Sequence, residues 1–475
     1  MRNFFLFVFL LGTGIQAHAG DDGFSISVKI KGYADKELYL GNHYGDKQYI
    51  TDTAQVQGGE ATFKGKTALK NGIYLIITKS KKYFEILITE KDQRMSLETD
   101  STDFVGQMRV KGSEENKRFY DYLSFINKKG SDVERWRGLA NSKTAPADSI
   151  ALAKKNLNAL DEEVKAYKTN VIKTQPGSFL TTIFKASQEP EVPPAPTLPN
   201  GRKDSTFQYR YLHNHFWDTF DFTNEGLLRT PIFYNKIKTY TENLSYPVPD
   251  SISASCREII NRAKVNKEMF KYCVIQLTST YEKSNIMGMD AVFVDLVDAY
   301  YRTKQAFWVD SVTQFKILDR ASKLKPLLIG KIAPNLTLRD TAGVFQTLYN
   351  VNSAFTLLVF WDPDCSHCKK EIPALKKEYQ EKLKAKGVSV FAVCTETERK
   401  KWLEFIRKEQ IDWINVADIE LQNTFRSVYD VTSTPVVYLL NKNKRIEAKR
   451  LPVEKIPEFI EFMQKRDGVR PSTKN

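Results

Sequence analysis

FWDPDCSHCKKEIP, residues 360–373, holds two cysteines three positions apart, Cys365 and Cys368. Such a pair can be a redox couple, half of a metal site or two inert thiols. The run FTLLVFW (355–361) is continuously apolar, as in a strand that is buried on both faces. The residues after the pair, KKEIPALKKEYQEKLKAK (369–386), have the spacing of a helix. The pair is therefore predicted to lie where a buried strand is followed by a helix.

This position favours thiol chemistry. A thiol at the start of a helix lies near unpaired backbone N–H groups and the positive end of the helix dipole, and both stabilise the reactive thiolate. His367 stands between the cysteines and, when protonated, stabilises the thiolate further. We predict that Cys365 attacks a substrate disulfide and that Cys368, less exposed in the helix, resolves the mixed disulfide. The two would then form a redox-active disulfide.

The N-terminus predicts export. The first 19 residues carry one positive charge at Arg2, an apolar run over 4–11 and small residues at Ala17 and Ala19, which is the pattern of a cleaved secretory signal peptide. The alternative, an uncleaved anchor, needs a longer apolar run. No later stretch is long and apolar enough to span a membrane, so a soluble exported protein without a transmembrane segment is expected after cleavage.

The other interpretations of the cysteine pair are weaker. A zinc site usually has a second close pair of ligands, and the sequence contains none. Vicinal thiols in an oxidising compartment seldom stay inert. No metal or other cofactor is therefore expected. The chain has five cysteines in all: Cys256, Cys273, Cys365, Cys368 and Cys394.

Composition is that of an ordinary globular protein. The 475 residues are 41% hydrophobic and 27% charged, with a net charge of +14. Lysines and arginines are scattered among acids, and they do not form one basic stripe with interleaved aromatics. A solvated, mildly basic surface is expected, and no nucleic-acid partner.

Hydrophobic periodicity changes along the chain. FSISVKI (24–30) alternates with period two and is followed by further β-branched and aromatic runs, which predicts an all-β sandwich. Later apolar residues recur at threes and fours, as in helices, and the last part alternates strands with helices. The predicted division is a signal peptide (1–19), a β-rich domain (20–112), an α-helical domain (113–325) with a proline-rich excursion (189–199), an α/β domain (326–467) and a tail (468–475).

At the cysteine pair the chain resembles the thioredoxin superfamily, and within it the exported TlpA/ResA-like thiol-disulfide oxidoreductases. The resemblance covers about residues 327–467 and rests on VFWDPDCSHCKKEIP (359–373) and VTSTPVVYLL (431–440). In the second motif, Pro435 stands where the family places its cis-proline opposite the cysteines. The resemblance implies a thioredoxin-like fold and a substrate contact at Pro435, because a cis bond there leaves a backbone edge free to pair with a substrate strand.

Two departures from the family pattern bear on mechanism. Thioredoxin has a buried Asp six residues before its first Cys, where this chain has Val359. TlpA/ResA-like members also lack that acid, and the resemblance points to Glu396 as the proton acceptor, with a solvated strand-end acid as the alternative. Family reductases often have Pro before the second Cys, whereas His367 stands there in this chain, as in strong oxidants. The direction of electron flow is therefore open.

The function predicted is that of an exported thiol-disulfide oxidoreductase that reduces disulfides of other exported proteins. The alternatives are a periplasmic disulfide oxidase or isomerase, and a non-catalytic binding protein on a thioredoxin-like scaffold. A peroxiredoxin would have one peroxide-reactive Cys with a nearby Thr and Arg, unlike these vicinal thiols.

Three segments, GSEENKRFYDY (112–122), LLRTPIFYNKI (227–237) and IGKIAPNL (329–336), resemble recurring segments of the β-rich and helical extensions that precede thioredoxin modules in exported proteins of anaerobic Gram-negative bacteria. This resemblance implies a location in the periplasm or cell envelope. Disulfide-containing exported proteins and a membrane electron donor are the partners expected there.

Five further residues could carry chemistry. Cys256 and Cys273 are nearly symmetric about a possible helix break and could pair, or each could be a small buried residue. Cys394 fits the core of a strand. His213 and His215, two positions apart, could bind a metal from a strand, but their aromatic neighbours indicate packing.

Overall fold

The computed structural model describes residues 23–468. The predicted signal peptide and residues 469–475 of the predicted tail lie outside these described residues. The chain divides into two compact units, one ending at Leu244 and the other starting at Ser245. This division falls inside the predicted α-helical domain (113–325), and the domain boundaries stay a prediction.

The first unit contains strands followed by helices. Its strands are β1 (Phe24–Lys31), β2 (Glu37–Tyr44), β3 (Lys47–Gln55), β4 (Glu60–Gly65), β5 (Gly72–Thr78), β6 (Tyr83–Ile88), β7 (Arg94–Asp100) and β8 (Arg109–Lys111). Its helices are α1 (Glu114–Ala140), α2 (Ala147–Thr174), α3 (Phe179–Ala186), α4 (Phe207–His215) and α5 (Pro231–Glu242). The described residues 189–199 contain no helix, as their prolines predict.

The strands of the first unit form two sheets around one core. The strand orders are β4-β1-β7-β8 and β3-β2-β5-β6. Ile26 and Val28, which the period-two pattern places on one face of β1, are buried in the same cluster as Leu38 and Leu40 of the other sheet. The predicted β-rich region is confirmed. The sequence did not reveal that β1 pairs in parallel with β7 and antiparallel with β4.

The second unit begins with helices and continues as alternating strands and helices. Its elements are α6 (Pro249–Ala263), α7 (Lys267–Glu282), α8 (Asp290–Leu296), α9 (Ser311–Leu324), β9 (Thr337–Asp340), β10 (Phe345–Thr347), β11 (Phe355–Trp361), α10 (Cys368–Glu378), β12 (Val388–Cys394), α11 (Arg399–Glu409), β13 (Ile414–Ala417), α12 (Phe425–Val428), β14 (Val436–Asn441), β15 (Ile446–Lys449) and α13 (Ile456–Gly468).

The strands of the second unit form one sheet in the order β10-β9-β13-β12-β11-β14-β15. Strand β11 pairs in parallel with β12 and antiparallel with β14. Every residue of β11 is buried: Leu357 and Val359 pack into one hydrophobic cluster, and Leu358 and Phe360 pack into another on the opposite face. The continuous apolar run of this strand is explained by burial on both faces. The predicted α/β domain is confirmed.

Buried ion pairs tie the helices of the second unit to this sheet. Lys449 of β15 is buried, pairs with Asp290 at the start of α8 and donates to the carbonyl oxygen of Leu327 at 2.8 Å. Arg320 of α9 pairs with Asp430, whose side chain is 3% exposed. Because breaking a buried pair leaves a charge without compensation, these contacts fix α8 and α9 against the α/β domain.

Candidate active site

The cysteine pair lies in the turn between β11 and α10. The carboxylate of Asp362 accepts the backbone N–H of Asp364 at 2.8 Å, and the backbone N–H of Cys365 donates to the carbonyl oxygen of Asp362 at 3.3 Å. These bonds close a tight turn after the strand. The turn leaves Cys365 partly exposed, while Cys368 is the first residue of α10 and is buried. The helix begins where the sequence predicts it.

Cys365 is the more acidic of the two thiols. Burial opposes its ionisation, but hydrogen bonds from the side chain of Thr434, from the backbone and thiol of Cys368 and from the backbone of His367 outweigh burial and lower its pKa. In its protonated form, the Cys365 thiol donates to the carbonyl oxygen of Thr434 at 3.2 Å. The surroundings of Cys365 thus favour the thiolate, which is the nucleophile in disulfide exchange.

Cys368 has the opposite character. Its side chain is fully buried, and burial raises its pKa to about 12. Its Sγ accepts the backbone N–H of Asp362 at 3.4 Å. Cys368 is therefore protonated at neutral pH. Both thiols are free, so the structure represents the reduced form of the pair.

Pro435 lies beside the cysteines. The Thr434–Pro435 peptide bond is cis, and Thr434 provides the carbonyl oxygen that Cys365 contacts. Strand β14 starts at the next residue and pairs with β11, the strand that leads into the cysteine turn. The structure thus brings together the two motifs on which the family resemblance rests.

His367 is exposed, and its carbonyl oxygen accepts the backbone N–H of Lys370 at 3.0 Å and of Glu371 at 2.9 Å. The contact through which it lowers the pKa of Cys365 is made by its backbone. The role of its imidazole ring as a thiolate stabiliser stays a prediction.

Glu396 is half-buried in a loop after β12. Its carboxylate accepts the backbone N–H groups of Glu398 at 2.9 Å and Thr397 at 2.7 Å, and these bonds, with the nearby Lys401, lower its pKa although burial opposes this. A lowered pKa keeps this carboxylate ionised at neutral pH, but it also makes Glu396 a weak base. Its role as proton acceptor stays a prediction.

Sequence reasoning missed the acidic residues that accompany Glu396. Carboxylate oxygens of Asp362, Asp364 and Glu396 lie within 4.8 Å of one another, and Lys401 pairs with Asp364 at 2.9 Å. Asp362 also accepts the hydroxyl of Thr395 at 3.2 Å. Asp362 and Asp364, three positions and one position before Cys365, were the signal in the sequence that could have revealed this acidic cluster.

A groove of about 710 Å³ opens beside the cysteine pair, and we call it the lateral groove. His367 and Pro435 line its end at the pair. Its opposite wall consists of residues 282–285, which end and follow α7, and of Arg320 on α9. Its apolar floor is formed by Ile372, Leu375, Val437, Leu451 and Val453. Sequence reasoning missed this groove, because its walls lie far apart in the chain.

The remaining cysteines are buried. Cys256 and Cys273 are free thiols on α6 and α7, and burial raises the pKa of both. Cys394 is fully buried in β12, as predicted. A buried thiol with a raised pKa is a poor nucleophile, so these three residues behave as small apolar side chains.

The expectation that His213 and His215 lie on a strand is wrong, because both lie on α4. Their alternation with aromatic residues imitates a strand, but in the helix Tyr209 stacks on His213 and Tyr211 contacts His215, four residues apart in each case. Such pairs face each other only on a helix. His215 also pairs with Asp218 at 2.7 Å, so both rings are engaged in packing and pairing.

Between residues 23 and 468, no helix has both the length and the apolar character needed to cross a membrane.

Comparisons with known proteins cover the chain in three parts. The AhpC/TSA family matches residues 329–449. Two domains of unknown function, DUF4369 and DUF5106, match residues 24–119 and 155–325.

The relatives of the C-terminal part are thiol-disulfide oxidoreductases. The thiol-disulfide oxidoreductase ResA of Bacillus subtilis (strain 168) is 29% identical over 117 residues, which are 25% of this chain and 64% of that protein. This chain thus spans less than two thirds of that relative's length. Solved structures that are similar include a domain of a possible thiol-disulfide isomerase from Cytophaga hutchinsonii ATCC 33406, with 42% identity, 30% of this chain and 97% of that chain covered, and a TM-score of 0.29.

A thioredoxin-like protein from Bacteroides caccae ATCC 43185 is also similar, with 22% identity, 57% of this chain and 99% of that chain covered, and a TM-score of 0.46. The seven-stranded sheet, the family match and the named relatives define the C-terminal domain as a member of the thioredoxin superfamily. Within that superfamily the domain is TlpA/ResA-like, and N-terminal extensions precede it. The fold and the family resemblance predicted from the sequence are confirmed, and the named relatives support the predicted enzyme class.

Proposed function

We propose that this protein reduces disulfides of other exported proteins through Cys365 and Cys368. The observation that carries the proposal is the contrast between the two thiols. Cys365 is partly exposed and has a lowered pKa, whereas Cys368 is buried and has a pKa of about 12. A nucleophilic thiol needs to be accessible and readily ionised, whereas a resolving thiol is less exposed and stays protonated until the mixed disulfide forms.

The reaction follows from this contrast. The Cys365 thiolate attacks one sulfur of the client disulfide, forms a mixed disulfide and releases the other client sulfur as a thiolate, which takes a proton. Cys368 then loses its proton and attacks Sγ of Cys365. A disulfide forms between Cys365 and Cys368, and the second client thiolate leaves and is protonated. Two electrons have passed from the protein to the client, which leaves with two thiols.

We propose that Glu396 and the acids beside it accept the proton that Cys368 loses. Asp362 connects this group to the reaction, because its backbone N–H bonds Cys368 while its carboxylate lies within the cluster. The lowered pKa keeps Glu396 ionised and makes it a weak base, so it would act only as a relay that passes the proton directly to the leaving client thiolate or to water. Pro435 is proposed to contact the client strand, as its position beside Cys365 allows.

The cell compartment and the partners belong to the same proposal. The signal-peptide pattern of the first 19 residues supports export to the periplasm or cell envelope. Each turnover leaves the protein with a disulfide, so a thiol donor must restore the dithiol. A membrane-bound donor is proposed for this step, and disulfide-containing exported proteins are proposed as the clients.

Reduction of insulin in the presence of dithiothreitol tests the proposal. Replacement of Cys365 by serine removes the nucleophile, so the rate should fall to that of dithiothreitol alone. The matched control is Cys256→Ala, which removes a buried thiol outside the α/β domain and should leave the rate unchanged. Equal rates for the wild type and Cys365→Ser would overturn the proposal.

Oxidation of client thiols is the second candidate. The observation in its favour is again the lowered pKa of Cys365, since whatever stabilises the thiolate stabilises the reduced protein and makes the disulfide a stronger oxidant.

A further inference from the structure

One end of the lateral groove is lined by His367 and Pro435, which are close neighbours of the reactive cysteine. The backbone of His367 bonds Cys365, and Pro435 directly follows Thr434, whose carbonyl oxygen accepts from Cys365. Its volume of about 710 Å³ lies within the range of about 300–1,000 Å³ that is common for binding sites. The chain of a client whose disulfide reaches Cys365 can therefore run into this groove.

The floor of the groove is suited to an apolar side chain. Ile372 and Leu375 follow Cys368 by four and seven positions on α10, so they lie on the same face of the helix as the resolving thiol. Val437 of β14 adds to this floor. These side chains are buried, and an apolar client side chain placed over them would gain the free energy of leaving water.

The wall opposite Pro435 does not belong to the α/β domain. It consists of residues 282–285 and Arg320, which we call the helical wall. Asp430 holds the Arg320 part of this wall in place, because its carboxylate accepts from Arg320 and, at 3.2 Å, from Arg450 of the α/β domain. Since the Asp430 side chain is only 3% exposed, the arginines cannot both leave it without a large cost.

We propose that the lateral groove binds an extended client segment next to its disulfide cysteine, with an apolar client side chain on the floor, and that the helical wall selects which clients fit. This inference rests on the proposed function and extends it, because it assigns client selection to a segment before the α/β domain. The groove ends at His367 and Pro435, the first with a backbone bond to Cys365 and the second next to Thr434, which contacts Cys365, so we infer that its occupant is the client chain itself.

Asn285→Trp tests the inference. Asn285 is exposed on the helical wall, and a tryptophan there would narrow the groove without touching the cysteines. The value of kcat/KM for insulin should fall about tenfold, which corresponds to about 1.4 kcal/mol. The rate with a small substrate, hydroxyethyl disulfide, should stay unchanged, as should the pH dependence of Cys365 alkylation. Lys283→Trp, at another exposed position of the wall, provides a second variant.

The matched control is Asn261→Trp, which places the same side chain at an exposed position of α6 that does not line the groove. It should leave both rates unchanged. Two disulfide peptides complete the test, one with leucine and one with aspartate beside the cysteine. The wild type should prefer the leucine peptide, and Asn285→Trp should lose this preference.

The possible failures are distinguishable. Wild-type protein that reduces neither insulin nor hydroxyethyl disulfide contradicts the proposed function. Active wild type with an unchanged insulin rate in both wall variants contradicts client binding in the groove. An equal loss on insulin and hydroxyethyl disulfide contradicts it as well, because the wall would then act on the reactive pair. Equal wild-type rates for the two peptides contradict the apolar preference.

Discussion

At the scale of single residues, the acidity of Cys365 depends on a few hydrogen bonds. Thr434 is bonded to it through its side chain, and this bond favours the thiolate. The residue is next to Pro435, so the same short loop supplies part of the thiolate stabilisation and the proposed client contact. The identity of residue 434 should therefore affect reactivity directly.

Thr434→Val should raise the pKa of Cys365, because it removes a hydrogen bond to the charged form. A hydrogen bond of about 1 kcal/mol corresponds to an increase of about 0.7 pH unit in the alkylation midpoint. The measurement is the rate of iodoacetamide alkylation against pH, in a Cys368→Ala background. Thr432→Val, at an exposed position two residues earlier, is the control. A midpoint that does not move in Thr434→Val would refute this account.

Some residues of the site could be predicted from the sequence and others could not. Cys365, Cys368 and Pro435 belong to two short motifs, and the structure brings these motifs together. Asp362 and Asp364 were missed because isolated acids are usually solvated, and only the fold brings their carboxylates next to Glu396.

At the scale of elements, one buried lysine side chain attaches helix α8 to strand β15. Lys449 of β15 is buried against Asp290 of α8, and burial lowers its pKa although Asp290 opposes this. The charge is retained there because the carboxylate and the carbonyl oxygen of Leu327 both accept from it. Strand β15 thus depends on a residue more than a hundred positions earlier.

Lys449→Met should lower the free energy of unfolding by about 3 kcal/mol, because it leaves Asp290 without its partner. The measurement is urea unfolding followed by tryptophan fluorescence. The control is Lys323→Met, which breaks the more exposed Lys323–Asp319 pair on α9 and should cost less than about 0.5 kcal/mol. Equal costs for the two substitutions would contradict the structural role of Lys449.

Elements were predicted well wherever one local pattern determines them. Strand β11 follows from a continuous apolar run, and the start of α10 follows from the helical spacing of the residues after the cysteine pair. Helix α4 was mistaken for a strand because its aromatic residues alternate, while the stacked pairs four residues apart that stabilise the helix are not visible in a period-two count. The parallel pairing of β1 with β7 depends on residues distant in sequence.

At the scale of the whole molecule, the direction of electron flow is set by the potential of the cysteine pair against that of its partners. The lowered pKa of Cys365 raises this potential, and the buried, protonated Cys368 leaves the pair with one thiolate at most at neutral pH. The resemblance to reductases predicts a low potential for the cysteine pair, whereas the histidine before Cys368 predicts a higher one.

We expect the reductase assignment to hold, with an equilibrium against glutathione that places the pair nearer about −270 mV than about −120 mV. The measurement is the fraction of oxidised pair at defined glutathione ratios. His367→Pro is the informative variant, because it removes the histidine and should make the potential more negative. A wild-type potential near about −120 mV would contradict the reductase assignment and support the oxidase assignment.

The pairing of Arg320 with Asp430 has a consequence for protein engineering. A fragment that contains only residues from 326 onward would lack Arg320 and Asp290, which pair with Asp430 and Lys449. It would also lack the helical wall, which we propose selects clients. A transplant into another scaffold should therefore carry the segment from α7 onward as one unit. Swapping that segment between relatives, with the cysteine motif kept constant, would then exchange substrate repertoires and not chemistry.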